Sequence, residues 1–316
     1  MEFIEQSNAK KQTRISGLRN LGRFGGVWSC GPQGGALLNS YLINKDPIFL
    51  DYVKESAAHL EGLRTKEKTD PETQMDRKGL DGVYANIATM ARLGHLTGEQ
   101  HYFDFCVELV KETELFYEPS LKLYAQTYYP DLKVTNNMFW LRGMGWTAVA
   151  LVELLSYLPE DHPDYQEVLS IYQRLMVGIA PYQTASGLWR HLVNRPDSFE
   201  ETSGSIFIVY AFAKGINNGW LPERYRDVPM TGWRGMMSKR TESGTIEGNT
   251  GSVRTSTSPA YYLNNSTKKT NAYLSGPLFL AGTEMLKLYE TPENLKPTTA
   301  RWKFTHDPAA IREATN

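Results

Sequence analysis

An all-α fold of the α/α toroid type is what this sequence predicts, and two observations carry the prediction. Segments that are apolar nearly all round alternate along the chain with segments that are apolar on one face only. Short polar turns of similar make-up separate the two kinds, while alternating Val, Ile and Thr runs bounded by turn residues are nearly absent. Such an order reads as a degenerate repeat of helical hairpins, each burying one side on its neighbours, and closing the row into a ring makes the toroid.

The elements justify this in turn. Gly145 to Val152 and Ser205 to Phe212 carry no polar face, so both are expected as inner helices buried on every side. From Tyr102 to Leu115 the apolar positions Tyr102, Phe105, Cys106, Leu109 and Val110 recur at three and four, with Glu108, Lys111 and Glu112 between them. That periodicity predicts an outer helix facing solvent. Asn44 to Pro47, Thr97 to Gln100 and Glu160 to Pro163 are the turns between antiparallel partners. Gly187 to Leu192 is one short extended piece. Two long connections, 117–137 carrying Tyr124, Tyr128 and Tyr129 and the Ser/Thr/Gly/Asn-rich 241–270, are expected over a cleft, since long ordered loops in a compact domain tend to be functional. No linker divides the body, so residues 1–316 are expected to form a single toroid domain with loosely attached arms at 1–30 and 291–316.

Composition narrows the partners. The 34 Lys and Arg against 35 Asp and Glu leave a formal net charge of -1 with no basic stripe, which argues against nucleic acid. Two cysteines, Cys30 and Cys106, are too few for a disulfide framework and lack zinc spacing, so both are expected as buried free thiols and no metal or other cofactor is expected. Neither a signal peptide nor a membrane-length apolar run is visible, so the expected location is cytoplasmic, or periplasmic if a leader has been lost, with no membrane partner. Seven Trp and eighteen Tyr suit either large buried helices or a cleft in which rings stack on sugar faces.

Three clusters are candidates for chemistry. Trp140-Leu141-Arg142-Gly143-Met144-Gly145-Trp146 opens an inner helix: the glycines permit close backbone approach, the Arg offers a planar fork for a carboxylate, and the rings offer apolar faces. This suits an anionic sugar, against the plainer alternative of tight helix packing and an ion pair. Asp81 stands directly before an apolar-periodic run, which makes it a helix N-cap or, alternatively, a general acid aimed into the ring's opening with a raised pKa. Trp189-Arg190-His191 precedes Glu200-Glu201-Thr202-Ser203, where capping by Thr202 or Ser203 and a solvated loop account for Glu200 and His191, while Glu201 stays open between roles.

At these same residues, from about Gly31 to Leu288, the chain resembles the unsaturated rhamnogalacturonyl and unsaturated glucuronyl hydrolases, families 105 and 88 of the glycoside hydrolases. Trp140-Leu141-Arg142-Gly143-Met144-Gly145-Trp146 looks like their Trp-x-Arg-Gly-Asn-Gly-Trp motif, Gly187-Leu188-Trp189 and Glu201-Thr202-Ser203 like later blocks, and Gly276 to Met285 like the closing block. The resemblance implies a six-hairpin (α/α)6 toroid, with a first hairpin that is incomplete or irregular because the chain begins later than most relatives.

It also implies removal of a 4,5-unsaturated uronic acid from the non-reducing end of lyase-generated oligosaccharides by hydration of the C4=C5 bond. Asp81 would be the catalytic acid and then base, with Trp140, Arg142, Met144, Trp146 and Trp189 around the substrate. Several positions depart from the family pattern: Trp28-Ser29-Cys30-Gly31 lacks the usual acidic pair, Met144 replaces an Asn, Gly79 replaces a Trp, and Gln126 lies near a family His. Two rival readings follow, a sugar epimerase on the same toroid and a carbohydrate-binding relative with altered or lost catalysis.

Overall fold

The computed structural model describes residues 32–69, 78–265, 267–268 and 272–289, so the arms, Cys30 and the Trp28 to Gly31 segment lie outside the described residues. Within them the chain is predominantly helical. α1 (Pro32–Asn44) turns at Lys45 and Asp46 into α2 (Pro47–Thr69). α3 (Gly82–Thr97) ends on the left-handed Gly98 before α4 (His101–Glu112). α5 (Leu141–Leu155) pairs with α6 (Tyr165–Ile179), and α7 (Thr202–Asn217) with α8 (Asp227–Ser238). A one-turn α9 (Pro259–Leu263) and the long α10 (Ala272–Tyr289) complete the helices among the described residues.

The two kinds of helix sort as their periodicity predicts. On α5 and α7 nearly every residue is buried, the three polar exceptions being Glu153 and Lys214, which bond to each other, and Asn217 at the end of α7. On α4 the buried set is Tyr102, Phe103, Cys106, Val107 and Val110, a single stripe. α1, α3, α5, α7 and α10 pack side by side in chain order as the inner row, and α2, α4, α6 and α8 back onto them from outside. The sequence turns fall where expected, and Cys106 is buried, its thiol pushed far up by loss of solvent. The α5–α7 contact is close because glycines line it. A Cβ on Gly204 would stand 2.5 Å from Leu141 Cγ, and one on Gly145 would stand 2.9 Å from Phe207 Cβ, so no larger residue fits either position.

The long connections carry more strand than the sequence predicts. β2 (Tyr117–Glu118) pairs with β3 (Leu123–Tyr124), and β4 (Thr127–Tyr129) with β5 (Val134–Thr135), all antiparallel. β1 (Lys78–Gly79) joins this second hairpin, Lys78 opposite Tyr128 and Gly79 opposite Thr127. β6 (Trp189–Arg190) pairs with β7 (Glu200–Glu201), and β8 (Asn249–Thr250) with β9 (Thr267–Lys268). Two- and three-residue strands are too short for a visible alternation, which explains their absence from the sequence reading. The connections also meet each other: Thr127 and Thr255 hydroxyls are 3.2 Å apart, and Asn136 Nδ2 donates to Ser256 O at 3.0 Å. Together they cover the end of the inner row at which α3, α5 and α7 begin. No described helix is long and apolar enough to cross a membrane.

Candidate active site

The inner helices run parallel, so their N-termini gather at one mouth, and each sequence cluster arrives there on a different helix. Asp81 stands immediately before α3. Its backbone is fixed from both sides: β1 is paired to β4, Leu80 N–H donates to Gln126 O at 2.9 Å, and Leu80 O accepts from Thr147 of α5 at 3.4 Å. Although it occupies the N-cap position, its side chain makes no capping hydrogen bond. The plainer role open to it in the sequence is therefore not the one it plays. The side chain is partly buried, and burial raises its carboxyl above the ordinary carboxylate range, with its own backbone amide and the charge of Arg142 pulling weakly the other way. Gly79 matters here: a Cβ at that position would lie 3.2 Å from Asp81 Oδ1, so the glycine leaves the carboxyl uncovered.

Arg142 enters from the first turn of α5 and is almost fully buried. Its Nη1 donates to Ser203 Oγ at 2.9 Å, to Thr250 O at 3.0 Å and to Thr250 Oγ1 at 2.9 Å, and Nη2 donates to Gly251 O. Glu201 lies 3.7 Å from Nη1 and has no exposed surface. The ion pair is thus real, and its acid comes from the core. Trp140 packs its ring against the guanidinium at 5.0 Å and over Gly143, where a Cβ would be 3.0 Å away. Its indole N–H is buried without a protein acceptor.

The remaining sequence candidates sit deeper. Trp146 stacks on Phe207 with centroids 4.1 Å apart and is 8% exposed. Met144 and Trp189 have no exposed surface, and the Trp189 indole donates to Ile179 O at 2.9 Å, tying β6 to the end of α6. All three belong to the main hydrophobic core. Gln126 is buried too, its side chain accepting from the Tyr262 hydroxyl.

Two residues play parts different from those expected. Glu201, rather than Thr202 or Ser203, caps α7, accepting from Gly204 N–H at 2.6 Å. His191, expected in a solvated loop, is fully buried, stacked on Phe199 at 4.9 Å with Trp140 and Tyr262 beside it. Neither ring nitrogen has a protein partner, and burial, with Arg142 adding to it and Glu201 opposing it, lowers the imidazole to about 4. Two of the rings around it, Trp140 and Tyr262, are distant in sequence, and no local pattern announces that. Among the described residues there is no cluster of three or more His, Cys, Asp or Glu able to hold a metal.

An inner row of parallel helices that delivers an uncapped acid, a buried ion pair and several rings to one mouth places the chain in the class of six-hairpin α/α toroids. Its family is Glycosyl Hydrolase Family 88, to which the chain belongs by a match over residues 34–289. An unsaturated 3S-rhamnoglycuronyl hydrolase of Alteromonas sp. (strain LOR) is 30% identical over 173 residues, 52% of this chain and 42% of that protein. A hydrolase of the same description from Formosa agariphila is 28% identical over 196 residues, 60% of this chain and 50% of that protein. The chain thus spans about half the length, or less, of these curated relatives. Among solved structures, a family 105 glycoside hydrolase of C. acetobutylicum ATCC 824 superposes with a TM-score of 0.70 at 21% identity, covering 80% of this chain and 78% of that one. The unsaturated glucuronyl hydrolase of Bacillus sp. GL1 gives 0.64 at 16%, covering 90% and 81%. At such identities these superpositions speak for the fold.

Proposed function

We propose that the chain works as one toroid unit that hydrolyses oligosaccharides bearing a 4,5-unsaturated uronic acid at the non-reducing end, with Asp81 as the group that moves the protons. The observation that carries the reading is an acid at a helix start that forgoes the capping bond and whose carboxyl burial raises above the ordinary carboxylate range. In the forward step Asp81 gives its proton to C4, and the positive charge that develops at C5 is shared with the ring oxygen. Water then adds at C5 and surrenders a proton to the Asp81 carboxylate, which restores the acid. The product is a hemiketal at C5, whose opening releases the neighbouring sugar. One carboxyl serves both steps, unlike the opposed pair of ordinary glycosidases.

Family membership and the relatives named above support the substrate class. Of the proposed substrate contacts, Trp140 and Arg142 open α5 while Met144, Trp146 and Trp189 belong to the main core, and all five are buried. The test is to mix the protein with lyase-generated unsaturated disaccharides and follow the ultraviolet absorbance of the conjugated double bond. The absorbance is expected to fall, and to stay constant with Asp81→Asn. Affinity without any loss of absorbance would instead support a carbohydrate-binding relative, and turnover with the double bond intact an epimerase.

A further inference from the structure

Glu201 has no part in the proton transfers assigned to Asp81, yet it is the most heavily engaged carboxylate among the described residues. Oε1 accepts from Ser203 Oγ at 2.6 Å and from Thr250 N–H at 2.9 Å, and Oε2 accepts from Gly204 N–H at 2.6 Å. Capping α7 needs only the last of these. The others reach a second segment and, through it, a second helix. Ser203 and Thr250 hydroxyls both accept from Arg142 Nη1 at 2.9 Å, and both face Glu201 Oε1 as donors, at 2.6 and 3.5 Å. Each hydroxyl therefore bridges the cation and the anion from beside the ion pair, whose Nη1 and Oε1 are 3.7 Å apart.

We infer that Glu201 is a positioning residue of the site: its carboxylate holds the Arg142 guanidinium and the Thr250–Gly251 segment in a single orientation facing Asp81. Three independent pieces of chain meet on this one side chain, the start of α5, the start of α7 and β8. A residue that only capped a helix would leave two of them unattached. The arrangement also sets the field at the acid. Arg142 is the charged group whose field reaches the Asp81 carboxyl, Glu201 lies 3.7 Å from its Nη1 and offsets that charge, and both also act on His191. Replacing the carboxylate by an amide keeps the shape but leaves the Arg142 charge uncompensated, so Asp81 gives up its proton at lower pH.

The kinetic part of the test rests on the function proposed above; a second readout does not. Glu201→Gln is expected to shift the alkaline limb of the kcat/KM profile to lower pH, roughly threefold to tenfold lower activity on that side, for a change of about half to one pKa unit. Amide exchange in residues 248–256 is expected to rise in the same variant while that of α5 holds, and Glu201→Asp is expected to restore the limb in part. If Glu201→Gln does not fold, Ser203→Ala, which removes one relay and keeps the Gly204 bond, is expected to raise exchange in 248–256 to a smaller extent. A variant that loses activity only in proportion to its folded fraction, with limb and exchange unmoved, would overturn the inference and leave Glu201 a plain cap. An inactive wild type would instead count against the Asp81 reading, and the exchange comparison would still decide the role of Glu201.

Discussion

Asp81 and Glu201 occupy the same station, the residue before an inner helix, yet their carboxyls are bonded in opposite ways. Glu201 spends every acceptor on donors fixed by the fold, in full burial. Asp81 makes no capping bond, keeps part of its surface open, and is held above the ordinary carboxylate range. The difference lies in what each mouth segment offers. Beside Glu201, β8 brings Thr250 and Arg142 brings a cation. Beside Asp81, β1 brings Gly79, which has no side chain to offer. A carboxylate supplied with donors becomes structure, and one denied them is left with its pKa raised by burial.

Breaking the Asp81 side of this comparison has the largest expected effect. Asp81→Asn should lower turnover of an unsaturated disaccharide by about 10²–10⁴, the usual worth of general acid–base catalysis. Its stability should move the other way. A carboxyl whose folded pKa is raised destabilises the fold increasingly as pH climbs from the unfolded value of 3.8 through the folded one. The Asn variant lacks that penalty, so its melting temperature should equal or exceed that of the wild type at neutral pH. A lower value would show Asp81 to be structural.

On the Glu201 side the signs reverse. Glu201→Ala strands a buried Arg142 and should cost about 3–5 kcal/mol, read from chemical denaturation. A loss under 1 kcal/mol would mean that the network is dispensable. His191 comes next. An imidazole lowered to about 4 is neutral in the fold but charges in the unfolded chain below 6.5. Its contribution is present above pH 6.5 and is lost as pH falls from there toward about 4, on the order of 3 kcal/mol in total. Replacing it with Phe should flatten the stability profile in that window. The smallest effect is expected for Tyr262→Phe, which removes the hydroxyl from Gln126 and Ser256 and should cost about 1–2 kcal/mol while leaving turnover largely intact.

Much of the fold was legible in the residues because inner and outer helices differ in a local property, the width of the apolar stripe. Gly145–Val152 and Tyr102–Leu115 declare their layer within two turns of helix. The position of Asp81 was legible for the same reason, as an acid abutting a periodic run. Its freedom from capping was not, since that depends on which donors the fold supplies. Part of the cover of His191 and part of the partner set of Arg142, Thr250 and Gly251, come from 249–262, a segment whose polar composition says loop and nothing about where it lands. Ser203 reads as the cap by residue type, but Glu201 reaches Gly204 N–H first because β7 brings its backbone in extended.

The central claim is that a proton from Asp81 arrives at C4. Running the reaction in D₂O and examining the released uronate by mass spectrometry and NMR tests it most directly. Sampled at early times, before enolisation beside the new C5 ketone exchanges C4, the product is expected to carry one deuteron on a single face of C4 and to have lost the C4=C5 bond, both abolished by Asp81→Asn. A released sugar that keeps its double bond and carries no deuterium at C4 would contradict it.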